Sequence, residues 1–144
     1  MKQIHNIRIR VLDREKETCQ KIIDTLLFAA KIEKKDVEIK ISDDGEDDPL
    51  YIYELWVDHQ QPIRKITSHI VTCLPSEEKT TVHDNPHKFL DTGTHCFLRL
   101  DKRKAQEGTY VFSETPDCVH VRLNIAAFPA TKEKAAKIVQ ELFG

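Results

Sequence analysis

Glycine is scarce in this chain, with four among 144 residues. A loop that cradles a phosphate needs closely spaced glycines so that the backbone can approach the anion, and a nucleotide-binding loop therefore has little material here. GxSxG and HExxH, the marks of a nucleophile elbow and a zinc-protease helix, do not occur either. Four cysteines, Cys19, Cys73, Cys96 and Cys118, are widely spaced with no CxxC pair. Three of them fall in apolar patterns, so they read as small buried hydrophobes in a reducing compartment. No apolar run suits a signal peptide or a membrane span, since "MKQIHNIRIR" carries charge every second or third residue. The expected setting is the cytoplasm, with no membrane partner. Nor does one sign of charge prevail: 22 basic against 24 acidic residues leave a net charge of -2. Whole-chain attraction to phosphate is thereby excluded, and a nucleic-acid role has to come from a local patch.

What remains is a composition of 40% hydrophobic and 32% charged residues. It suits a single α+β domain over residues 1–144 with a core that needs no covalent staples. "IRIRVL" alternates strictly, placing Ile7, Ile9 and Val11 on one strand face and Arg8 and Arg10 on the other. After Asp13, residues Cys19, Ile22, Ile23, Leu26, Leu27 and Ala30 recur at helical spacing. "DVEIKIS" alternates again with Val37, Ile39 and Ile41 inward, "DDGEDDP" turns the chain, and "LYIYELWV" reads as the returning strand. A helix follows from Pro62 until Pro75 stops it. Residues Ser76 to Thr94 are polar without a sustained period and read as a long loop with room for a short helical turn. Strands are expected at Cys96–Leu100, at Tyr110–Ser113 and over "CVHVRLNIA", and Thr131 caps a final helix.

The element order is thus β-α-β-β-α-β-β-β-α. Lacking strict βα alternation, it predicts one mixed or antiparallel sheet with about three helices on a single face. The opposite face stays open. If the strands at Ile7, Phe97 and Val119 share that sheet, its open side collects Arg8, Arg10, Arg99, His120 and Arg122 with Phe97 among them. Lys102, Arg103 and Lys104 then stand at one rim. Cations beside an aromatic are the combination that pairs phosphate contacts with base stacking. Arg99 and Lys102 stand first in this reading.

Other chemistry has thinner support. His83, His87, His95 and Cys96 are four possible metal ligands within one segment, but their spacing matches no standard zinc module. Adjacent strand residues such as His95 and Cys96 also face opposite ways. The acids of "DDGEDD" lack the alternate-position spacing of a calcium loop and read as a solvated turn. No cofactor is expected and no catalytic constellation emerges.

"FLRLDKRKAQEG", a Ser113-Glu114 turn and "VHVRLNIAAFP" before a terminal helix together resemble a family of small archaeal proteins described as RNA-binding and as predicted exosome subunits. The run Leu98, Arg99, Leu100, Asp101, Lys102 carries the likeness, which is strongest from Thr94 to Pro129. The resemblance implies a fold like that of the large-subunit ribosomal protein that binds 5S RNA. It also implies a non-catalytic RNA-binding protein, an accessory of RNA processing or degradation with exosome or ribosomal components as partners. The competing reading is a protein-interaction module, a complex subunit or homodimer. It would use the exposed sheet face or edge through the outward set Leu50, Ile52 and Trp56.

Overall fold

A computed structural model describes residues 2–144. Five strands form one sheet: β1 (Ile4–Asp13), β2 (Glu38–Asp43), β3 (Tyr51–Val57), β4 (His95–Asp101) and β5 (Cys118–Ile125). They lie in the order β2-β3-β1-β5-β4, and every neighbouring pair is antiparallel. The helices are α1 (Lys16–Ala29), α2 (Gln60–Cys73), α3 (Ser76–Asp84), α4 (Lys102–Gln106) and α5 (Lys132–Phe143). The expected α+β class with a helix-covered sheet is what the chain forms.

The alternation seen in the sequence sets the two faces. Ile7, Ile9 and Val11 of β1, Leu98 and Leu100 of β4, and Val119, Val121, Leu123 and Ile125 of β5 are all buried against the helices. From α1 they meet Cys19, Ile22, Ile23, Leu26 and Leu27; from α2, Ile63, Ile66 and Ile70; and from α5, Ala135, Val139 and Phe143. Burying one such aliphatic side chain stabilises the fold by roughly 1.5–3 kcal/mol, so each helix is held chiefly by its stripe rather than by its own propensity. Thr131 caps α5, its Oγ1 accepting from Lys134 N at 3.3 Å.

Three local expectations are corrected. The polar stretch from Ser76 is not a loop: it forms α3 and then a 3-10 turn at Pro86–Phe89. A nine-residue helix with Val82 as its only buried residue leaves no readable period. What holds it is its packing on α5, where Gln140 Nε2 donates to the His83 carbonyl at 2.9 Å. Tyr110–Ser113 is not a regular strand. Ser113 N donates to the Arg99 carbonyl and Asp101 N to the Val111 carbonyl, each at 2.8 Å, around a single bridge between Leu100 and Phe112. Ile41, expected inward, is 58% exposed because β2 is an edge strand whose far end the helices do not reach.

Candidate nucleic-acid interface

β1 lies between β3 and β5, and β5 lies beside β4, so the adjacency that the sequence could only assume is present. The register aligns the outward side chains in rows that cross the sheet. One row runs Glu38, Trp56, Arg8, Arg122, Phe97, and the next runs Lys40, Glu54, Arg10, His120, Arg99. Five cations (Arg8, Arg10, Arg99, Arg122, Lys40) therefore face two carboxylates (Glu38, Glu54) on a chain whose net charge is negative. Directly opposed like charges such as Arg8 and Arg122 destabilise a sheet. Placed side by side, they give this face a positive local potential on a chain of negative net charge.

Trp56 is what makes that arrangement tolerable. The charged ends of Lys40, Arg122 and Arg8 lie 5.4, 5.6 and 5.8 Å from its ring centroid, within cation–π range. Glu54 reaches Arg8 Nε only at 4.0 Å. The inner Nε–H groups of Arg10 and Arg122 and the Trp56 Nε1–H are buried without a protein acceptor among the described residues. The guanidinium groups of Arg8 and Arg122 are thus positioned by Trp56, with Glu54 the carboxylate nearest Arg8 and no ion-pair partner for Arg122 among the described residues. Burial and the neighbouring Arg122 lower the Arg8 pKa, with Glu54 opposing them.

Beside this nest Phe97 is 43% exposed, an unusual setting for a phenylalanine on a strand. It forms one wall of a hollow of about 210 Å³ whose other walls include Arg8, Arg10, His120 and Arg122. A larger hollow of about 400 Å³ lies on the helix side between α2 and α5. Its charged residues, Arg64 and Glu141, are of opposite sign, so it has no comparable attraction for phosphate. His95 also belongs to the open face, two residues from Phe97 on β4, with the two ring centroids 6.4 Å apart. Its Nδ1 lies 3.1 Å from Asp91 Oδ2, which fixes the ring's orientation.

His120 sits among the arginines, and its pKa is lowered by burial first and then by Arg99, Arg10 and Arg8. In the free protein its depressed pKa contributes stability above the unfolded value of about 6.5, and this is lost as pH falls through the folded value. An anion bound beside it would raise the pKa again. RNA affinity is therefore expected to rise as pH falls toward the depressed His120 value, and His120→Gln should flatten that rise in a binding titration across acidic pH. A wild-type profile identical to that of the variant would show that His120 does not face the ligand.

Of the nine residues singled out in the sequence, Phe97, Arg99, His120, Arg122, Arg8 and Arg10 come together on this face. Lys102, at the end of β4, does not join these rows, and its charge is already engaged. Its Nζ lies 2.6 Å from Asp117 Oδ1 and 3.0 Å from Asp13 Oδ2, and it donates to the Leu12 carbonyl at 2.7 Å. Its side chain is 13% exposed. Burial disfavours the ammonium, but the hydrogen bonds to Asp117 and Asp13 outweigh it and raise the Lys102 pKa. Arg103 and Lys104 are exposed on α4, which packs against α1. They stand outside the two rows. Trp56, Lys40 and His95 also lie on this face, though sequence reasoning did not place them in the cationic set. Trp56 was visible as an outward residue of β3, but nothing local to β3 shows that Arg8 is its neighbour.

The four possible metal ligands are dispersed. His83 is on α3 beside Asp84, His87 is in the 3-10 turn, and Cys96 is fully buried on the face opposite His95. Among the described residues no three His, Cys, Asp or Glu side chains are placed to share a metal ion.

Comparison with known proteins bears on the same chain. A family model described as RNA binding matches residues 6–125. An RNA-binding protein of Pyrococcus abyssi (strain GE5 / Orsay) is 33% identical over 143 residues, which are 96% of this chain and 93% of that one. Among solved structures, a DUF54 protein of Archaeglobus fulgidus superposes with a TM-score of 0.79 at 21% identity, covering 96% of this chain and 99% of its own. A DUF54 protein of Methanothermobacter thermautotrophicus gives a TM-score of 0.70 at 21% identity, with 99% of each chain covered. At these identities the structures speak for the fold alone.

Proposed function

This chain belongs to the RNA-binding family, and on that premise we propose that it is a non-catalytic RNA-binding protein whose ligand lies on the open face of the sheet. The observation that carries the reading is the convergence of Arg8, Arg122 and Lys40 on Trp56, with Arg10 and Arg99 in the adjoining row. Guanidinium groups fork to phosphate oxygens, and five cations spread over the central strands β1 and β5 and the edge strands β2 and β4 suit a chain of phosphates rather than a single small anion.

Salt is the direct test. If four arginines each neutralise one phosphate, the logarithm of the binding constant should fall against the logarithm of salt with a slope of about -3, at roughly 0.7 per contact for single strands. An affinity that does not move with salt would remove RNA from this face. That result would favour the competing reading, a protein docked through the apolar part of the face near Leu50 and Ile52.

The likeness of Leu98–Lys102 to small archaeal proteins described as predicted exosome subunits supports a finer role. In this role the protein presents RNA to a processing or degrading assembly, with exosome or ribosomal components as its partners. Four free cysteines are in keeping with a reducing, cytoplasmic setting.

A further inference from the structure

We propose that the open face takes single-stranded RNA, with Phe97 as the platform on which one unstacked base lies while Arg122 and Arg8 hold the adjoining phosphates. The proposal rests on the RNA-binding reading of this face and names the class of RNA. It follows from how the two kinds of side chain are disposed. Trp56 is capped by Arg8, Arg122 and Lys40, so its ring serves to position cations and its face is not free for a base. Phe97 carries no such cap and is 43% exposed at the opposite end of the same row. It borders the hollow of about 210 Å³ into which the arginines also face.

A duplex presents phosphates and groove edges to a protein but keeps its base faces stacked inside, so a duplex leaves Phe97 unused. A single strand offers both phosphate and base face, and every base has a ring face, so the platform is tolerant of sequence. His95 extends it. Held by Asp91 and 6.4 Å from Phe97, it places a second flat ring along β4 for the neighbouring nucleotide. Successive outward residues of a strand stand about 7 Å apart, so the two rings engage successive bases only if the strand is opened out and unstacked.

The test compares a labelled single strand of about 12 nucleotides, within the usual site sizes for such surfaces, with the same sequence annealed to its complement. Wild type is expected to bind the single strand more tightly at equal salt. Phe97→Leu is expected to lose roughly tenfold or more of that affinity, the usual worth of one base–aromatic stack. Its salt slope and thermal midpoint should be unchanged, and Phe97→Tyr should restore binding. Equal affinity for strand and duplex, or a Phe97→Leu variant that binds the strand like wild type, would overturn the single-strand assignment while leaving a salt-dependent RNA interaction standing. Loss of salt dependence in wild type would instead remove the RNA-binding reading itself.

Discussion

Reversing the charge of both Arg99 and Arg122 is expected to lower RNA affinity by at least 100-fold at about 0.1 M salt. A hydrogen bond to a charged group contributes about 1.5–3 kcal/mol, and two such contacts are lost. At 1.4 kcal/mol per factor of ten, their removal alone reaches that figure, before the repulsion between two new carboxylates and the phosphates is added. Both residues are on the open face, Arg99 exposed and Arg122 resting on Trp56, and neither belongs to the apolar core. The fold should therefore lose only the cation–π contact of Arg122, about 0.5–1 kcal/mol. A filter-binding or anisotropy titration beside a thermal melt decides the matter. A double variant that stays folded and retains RNA like wild type would refute the placement of the interface. Reversal of Arg103 and Lys104 on α4 is the matched control, with a much smaller loss expected.

Lys102 gives the opposite phenotype. Lys102→Met removes the shared partner of Asp13 and Asp117 and strands the Asp13 carboxylate, whose side chain is 21% exposed. Breaking a fully buried pair costs about 3–5 kcal/mol, and the partial exposure here reduces the expectation to about 2–3 kcal/mol. For a chain of this length that corresponds to a fall of roughly 5–10 °C in the thermal midpoint. RNA affinity well below the transition should be unaltered. A variant of normal stability that no longer binds RNA would return Lys102 to the interface.

The pH profile of stability should show the same strut from both sides. Burial works against the Asp13 carboxylate, but the Glu15 N–H and Lys102 hydrogen bonds outweigh it and lower its pKa. Its contribution is present above the unfolded value and is lost as pH falls through the folded one. The Lys102 pKa is raised, so its contribution is present below the unfolded value and is lost as pH rises through the folded one. Both limbs should flatten in Lys102→Met when unfolding is followed across pH.

The contrast between Arg99 and Lys102, three positions apart, shows where sequence reasoning ends. Taken as letters, both are cations in "FLRLDKRK". Arg99 is on the strand, where a period of two assigns it to the open face. Lys102 is the first residue of α4, and its long side chain turns back to the end of β1. Its partner Leu12 is 90 positions away in sequence, a distance over which no local pattern operates. The same limit hid Trp56, visible as an outward residue of β3 but not as the seat of Arg8 and Arg122. It also hid α3, whose one buried residue is too little to mark a period.

What the amino-acid sequence determined by itself is therefore what repeats locally. It set the inward and outward alternation of β1, β4 and β5, the apolar stripes of α1, α2 and α5, the cap at Thr131, and the one-sided cover that leaves a sheet face open. Alternation assigns a side chain to a face because successive residues of a strand point opposite ways, whatever lies beside the strand. It says nothing of neighbours. Only the tertiary structure placed β1 between β3 and β5 with β4 at the edge, since strand pairing is set by hydrogen bonds and packing between segments far apart in the chain. That order turned separate outward arginines into one cationic face and drew Lys102 away from it.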